Sequence, residues 1–104
     1  MKDSSFKEFV LDQLRELGGL ESRAMFGGVG LYAGGKFFGI LFQGRLYFRT
    51  SETTRAAYLG RGMEPFRPNV KRRLNSYYEV PADVMEDPVE LLRWAGEAIT
   101  SSKR

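Results

Sequence analysis

Seven of the eighteen residues from Gly27 to Gly44 are glycine, and the runs between them are short and mostly apolar or aromatic. Glycine weakens helix interiors and suits tight turns, so this stretch reads as strands and turns. Ser22 to Phe26 reads as a short strand closed by Gly27-Gly28. Val29 to Tyr32 is a second piece, open to being continuous with the first across a bulge. Ala33-Gly34-Gly35 reads as a turn and Lys36 to Phe42 as a strand. Gln43-Gly44 then fits a two-residue hairpin, with Arg45 to Arg49 as the returning strand. Parallel neighbours need crossovers of a dozen or more residues, which this spacing does not supply. The region is therefore an antiparallel meander.

Helical patterns flank it. Phe6, Phe9, Val10, Gln13, Leu14 and Leu17 recur at helical spacing, and the apolar members predict a core-facing stripe. Ser5 and Glu8 have capping-box spacing at its start, and Gly18-Gly19 supplies a stop. Ser51 predicts the N-cap of a second helix over Glu52 to Leu59, ended by Gly60 to Gly62. Glu64 to Pro68 reads as extended chain near a sheet edge, since proline cannot donate to a ladder. Asn69 to Asn75 is polar and basic and reads as a loop or turn. Ser76 to Val80 is a further strand, closed by Pro81. Asp87, Pro88 and Glu90 are the N-cap, first residue and first-turn acid of a last helix. Leu91, Leu92, Ala95, Ala98 and Ile99 form its buried face, with Trp94 at the border and Thr100 to Arg104 frayed. The order is α-β-β-β-α-β-β-α. It predicts an α+β domain with an antiparallel sheet covered on one face by helices. The last helix is expected to pack against the first.

The chain has 104 residues, enough for one domain spanning 1–104. It has no Cys and no His. Disulfides, thiolate nucleophiles and Ser-His-Asp or Cys-His machinery are thereby excluded, and the commonest transition-metal ligands are missing. A cysteine-free chain fits a reducing cytoplasm. No apolar run approaches a membrane span of about 20 residues. The net charge of +3 is unevenly placed. Residues 1–22 carry three basic and five acidic side chains, residues 23–82 ten and three, and residues 83–104 three and five. The basic middle could face phosphates or an acidic partner, or simply be solvated.

Gly30, Gly35 and Lys36 have phosphate-loop spacing, but Phe37 stands where that loop needs a hydroxyl, and a strand follows instead of a helix. Ala33 stands at the third glycine of a dinucleotide fingerprint, again with no helix after it. Tight turns between strands explain these glycines. Glu86, Asp87, Asp83 and Glu90 read as helix-entry residues rather than a catalytic pair. No cofactor, metal or catalytic residue is assigned, and the expectation is a non-enzymatic protein. Tyr77 and Tyr78 should point to opposite faces of a strand, one into the core and the other toward solvent or a partner. Lys71, Arg72 and Arg73 form the only basic run and could contact phosphate without reading sequence.

Several segments together carry a resemblance: Arg23 to Tyr32 with its Met25-Phe26-Gly27-Gly28, Gly35 to Ile40, Leu46 to Arg49, Pro65-Phe66, Tyr77 to Pro81, Asp87-Pro88 and Trp94-Ala95. From about Phe6 to Ile99 the chain resembles the N-terminal domain of the TfoX family of competence regulators. The resemblance implies a two-layer, secretion-chaperone-like fold and a role in the bacterial cytoplasm. It also implies regulation of DNA-uptake genes together with a transcription regulator of the cyclic-AMP receptor protein type, with no catalytic residues. Full regulators of this kind carry a second, helical domain, so the chain reads as a stand-alone N-terminal domain or a fragment. Two expectations follow. One is a protein-contact module, with Met25, Phe26, Gly27, Gly28, Tyr77 and Tyr78 as candidate partner-binding residues. The alternative is largely sequence-independent DNA binding through Arg23, Arg67, Lys71, Arg72 and Arg73. A homodimer through an edge strand or a bare sheet face is compatible with either.

Overall fold

A computed structural model of the chain describes residues 3–25, 27–69 and 71–102, with side chains from Ser5 onward. Helix α1 (Asp3–Gln13) leads into four strands, β1 (Leu20–Met25), β2 (Gly28–Ala33), β3 (Lys36–Phe42) and β4 (Arg45–Arg49). Helix α2 (Glu52–Gly60), β5 (Pro65–Asn69), β6 (Arg72–Glu79), the short α3 (Ala82–Met85) and α4 (Pro88–Ser101) follow. The six strands form one antiparallel sheet in the order β1-β2-β3-β4-β6-β5. The architecture is the expected α+β one. None of the described helices is long and apolar enough to cross a membrane.

The helices lie on one face. Val10 and Leu14 of the N-terminal segment, Tyr58 of α2, Val84 of α3 and Leu91, Trp94, Ala95 and Ala98 of α4 bury against Leu31, Phe38, Leu41, Leu46, Phe48 and Tyr78 of the sheet. Helix α4 crosses β3 and β4 and also meets α1, as the two apolar stripes predict. Its N-cap is the expected one: the Asp87 carboxylate accepts from the N–H groups of Val89 and Glu90. Ser51 caps α2, with a reciprocal bond from its own N–H to Thr54 Oγ1.

Several sequence expectations are corrected. Helix α1 starts at Asp3, so Ser5 lies within it and does not cap it; the turns through Leu14 and Leu17 separate its end from the Gly18-Gly19 stop. Phe9 is 40% exposed rather than part of the stripe. β1 and β2 are not one bulged strand. They form a hairpin in which Met25 pairs with Gly28 and Gly27 sits at φ +78°, a conformation glycine adopts without strain. The bulge lies instead between β2 and β3, beside Leu31 and Tyr32. Arg72 to Asn75 is strand rather than loop. The Asn69 side chain accepts from the N–H groups of Lys71 and Arg72, which tightens the turn so that β6 begins at Arg72. Trp94 is buried rather than at a border, its indole edge-on to Tyr58 at 4.8 Å. Helix α4 does not fray from Thr100; Ser102 is buried and its hydroxyl donates to the Phe37 carbonyl at 2.8 Å.

Candidate interaction surface

The second face of the sheet holds its own apolar cluster: Ile40, Tyr47, Phe66 and Tyr77, with Phe37, Phe42 and Leu74 packed around them. Every one of these residues is on a strand. Phe66 of the outer strand β5 lies 4.8 Å from the Tyr47 ring and 5.2 Å from the Phe42 ring. Such reach across β6 requires the sheet to curl, and the two register shifts between β5 and β6 supply the bend.

Away from that curl the face carries a row of rings bounded by arginines. Tyr32 and Phe37 have centroids 5.1 Å apart, and Phe37 and Tyr77 5.5 Å. The Arg23 guanidinium sits 4.8 Å from the Tyr32 ring and that of Arg49 5.7 Å from the Tyr77 ring, both within cation–π range. The β2–β3 bulge lets Phe37 face this side while Phe38 and Leu41 face the helices.

The two arginines of β4 differ. Arg45 donates from Nη1 to both carboxylate oxygens of Glu79, at 3.2 and 3.0 Å, which raises its pKa further. Arg49 has no carboxylate partner among the described residues; its Nη1 reaches only the Tyr77 hydroxyl, at 3.5 Å. Its Nε is buried without a hydrogen-bond partner. A half-buried cation left in this state favours an incoming acceptor. Burial pushes the Tyr77 phenol above its ordinary pKa, against the smaller opposing pull of Arg49, so Tyr77 is neutral at physiological pH.

The predicted partner residues divide. Met25 is half-buried at the end of β1, its sulfur beside Gly30 and close to the Phe37 ring. Phe37 thereby links Met25 to Tyr77 on the helix-free face. Tyr78 points the other way, into the helix-covered core, 6.2 Å from Tyr58. Both tyrosines of the pair are buried. Gly27 and Gly28 line a small cleft of about 70 Å³ with Phe6, Lys7 and Phe42. Phe26 lies outside the described residues.

The predicted basic residues also divide. Arg23 is on β1 and the others are on the β5–β6 hairpin, at opposite ends of the strand order. Arg67, Lys71, Arg72 and Arg73 are exposed, and none forms an ion pair with a described carboxylate. Arg73 Nε donates to Asn75 Oδ1 at 2.9 Å. Sequence reasoning missed Tyr32, Phe37 and Arg49. A signal existed: the period of two in β4 sets Arg45, Tyr47 and Arg49 on one side.

The model of the TfoX N-terminal domain matches residues 12–102, from the end of α1 through α4. The chain belongs to the TfoX N-terminal domain family. It is also similar to a curated protein, the DNA transformation protein TfoX1 of Aliivibrio fischeri (strain ATCC 700601 / ES114), at 30% identity over 102 residues. That alignment covers 96% of this chain and 49% of the relative, so the chain spans about half the relative's length. The family match takes in both faces of the sheet, including Tyr32, Phe37, Arg49 and Tyr77.

Proposed function

We propose that this TfoX N-terminal domain is a non-enzymatic, cytoplasmic interaction module in the control of DNA uptake, meeting a protein partner through its helix-free sheet face. The observation that carries the reading is the row Arg23, Tyr32, Phe37 and Arg49, laid over the buried Tyr77 ring. Aromatic rings and arginines are the side chains enriched at binding hot spots, and among the described residues Arg49 lacks a carboxylate, which a partner could provide. The similarity to a DNA transformation protein supports the process. Among the described residues, the two carboxylates with a clear shift, Asp83 and Glu90, are held below their ordinary range by hydrogen bonds from Arg61 and Arg93, the wrong direction for a general acid at neutral pH. The partner we favour is a transcription regulator of the cyclic-AMP receptor protein type, offering a carboxylate beside an apolar contact. Biolayer interferometry against such a regulator tests this. Tyr32→Ser and Arg49→Gln should each weaken binding by about tenfold or more while leaving the far-ultraviolet circular dichroism unchanged. Unchanged affinity in both removes this face from the interaction.

The unpaired cations of the β5–β6 hairpin favour a second reading, direct contact with duplex DNA. Four cations on one hairpin predict an affinity that falls by roughly 100-fold between about 50 and 200 mM salt, with little sequence preference. Fluorescence anisotropy with labelled duplex measures it. The double reversal Arg72→Glu and Arg73→Glu should abolish binding; retention of binding would exclude the hairpin.

A further inference from the structure

The two outer strands of the sheet present different edges. β5 contains Pro65 and Pro68, which have no N–H to offer, and its register with β6 is broken twice. Prolines and irregular pairing blunt an edge against further strands. β1 has neither feature, and its register with β2 runs unbroken from Leu20 to Met25.

The free hydrogen-bonding groups of β1 can be identified. The Gly34 N–H donates to the Gly19 carbonyl at 3.2 Å, which places the hydrogen-bonded pairs of this ladder on odd-numbered β1 residues. Glu21 opposite Tyr32, Arg23 opposite Gly30 and Met25 opposite Gly28 share that parity. The backbone N–H and C=O groups of Leu20, Ser22 and Ala24 therefore point away from β2, along the open edge.

An antiparallel strand that uses those groups has few registers open to it, and charge separates them when the strand is a second β1. Pairing centred on Ser22 sets Glu21 directly opposite Arg23 of the other copy, twice. A shift one way sets Glu21 against Glu21; a shift the other way sets Arg23 against Arg23. The complementary register also places both charge pairs at non-hydrogen-bonded positions, where side chains approach most closely. Within one chain Glu21 and Arg23 lie 3.7 Å apart with side chains 65% and 66% exposed, so both are available to a neighbour.

We propose that a second copy of this chain docks on β1, pairing antiparallel about a two-fold axis at Ser22 and continuing the sheet from one copy into the next. The edge is self-complementary, as a two-fold interface requires. The assembly would bring the two Arg23–Tyr32 ends of the helix-free faces side by side. This inference does not depend on the identity of any other partner.

Sedimentation equilibrium of the full chain tests it. The chain should show a reversible monomer–dimer equilibrium. Glu21→Arg and Arg23→Glu should each weaken self-association by about tenfold or more, since each sets like charges opposite one another. The double swap Glu21→Arg with Arg23→Glu should restore it, as should an equimolar mixture of the two single variants. Both side chains are exposed, so the variants should fold, and circular dichroism checks this. A monomer at every concentration up to about 1 mM would overturn the proposal. So would a dimer that tolerates both single reversals, or a swap that fails to recover association.

Discussion

Gly28 opens β2 with its α-carbon turned toward the neighbouring strand: a β-carbon there would lie 2.4 Å from the Leu41 carbonyl oxygen and 3.1 Å from the Phe42 ring. Backbone cannot swing aside as a side chain can, so Gly28→Ala should lower stability by roughly 1–3 kcal/mol in urea unfolding. Gly96 in α4 is the opposite case. A β-carbon there meets nothing within 4 Å, and Gly96→Ala should raise stability by about 0.5–1 kcal/mol. The buried tyrosines give a pH prediction. Burial is the first cause that raises Tyr47, Tyr58 and Tyr77 above their ordinary pKa of 10.0. The unfolded chain releases these phenolic protons more readily than the folded one. The stability they contribute is therefore intact below pH 10 and lost as the pH rises through the folded-state values. Alkaline titration followed at the phenolate absorbance should show ionisation of these three tyrosines coinciding with loss of the circular dichroism signal.

Capping separates two predictions at the level of the element. Asp87 holds two N–H groups at the start of α4, and Asp87→Ala should cost about 1 kcal/mol. Ser5 sits inside α1, so Ser5→Ala should cost nothing measurable in the same thermal unfolding experiment. The contrast shows which local signals were legible. Asp87-Pro88 and Ser51 act through atoms within three residues, and sequence spacing captures them. The Ser5–Glu8 spacing matches the same pattern but says nothing of where the first turn begins. The first half of β6 was hidden because Arg72 to Asn75 is mostly polar and exposed, and because a single side chain, Asn69, tightens the turn before it. Sequence spacing around Gly27 and Gly28 leaves a bulge and a hairpin turn equally open. A two-residue turn and a bulge both place glycine between short strands, and only the pairing of Met25 with Gly28 distinguishes them.

Over the whole molecule, the helices consume one sheet face and leave the other to strand residues alone. That division was legible, because the apolar stripes of α1 and α4 needed a common surface. The composition of the free face was not. Tyr32, Phe37 and Tyr77 come from three strands, and no local pattern encodes the β2–β3 bulge that turns Phe37 to this face. The same layout scatters the basic residues that the sequence groups, leaving Arg23 at one edge and the β5–β6 cations at the other. The proposed partner contact uses the helix-free face. Aromatic carbon–proton NMR spectra, recorded while a cyclic-AMP receptor protein-type regulator is titrated in, test it most directly, because each face carries its own reporters. The Tyr32 and Phe37 signals should move while those of Tyr58 and Trp94 stay in place. Movement of Tyr58 and Trp94 with Tyr32 and Phe37 unchanged, or no movement at all, would contradict it.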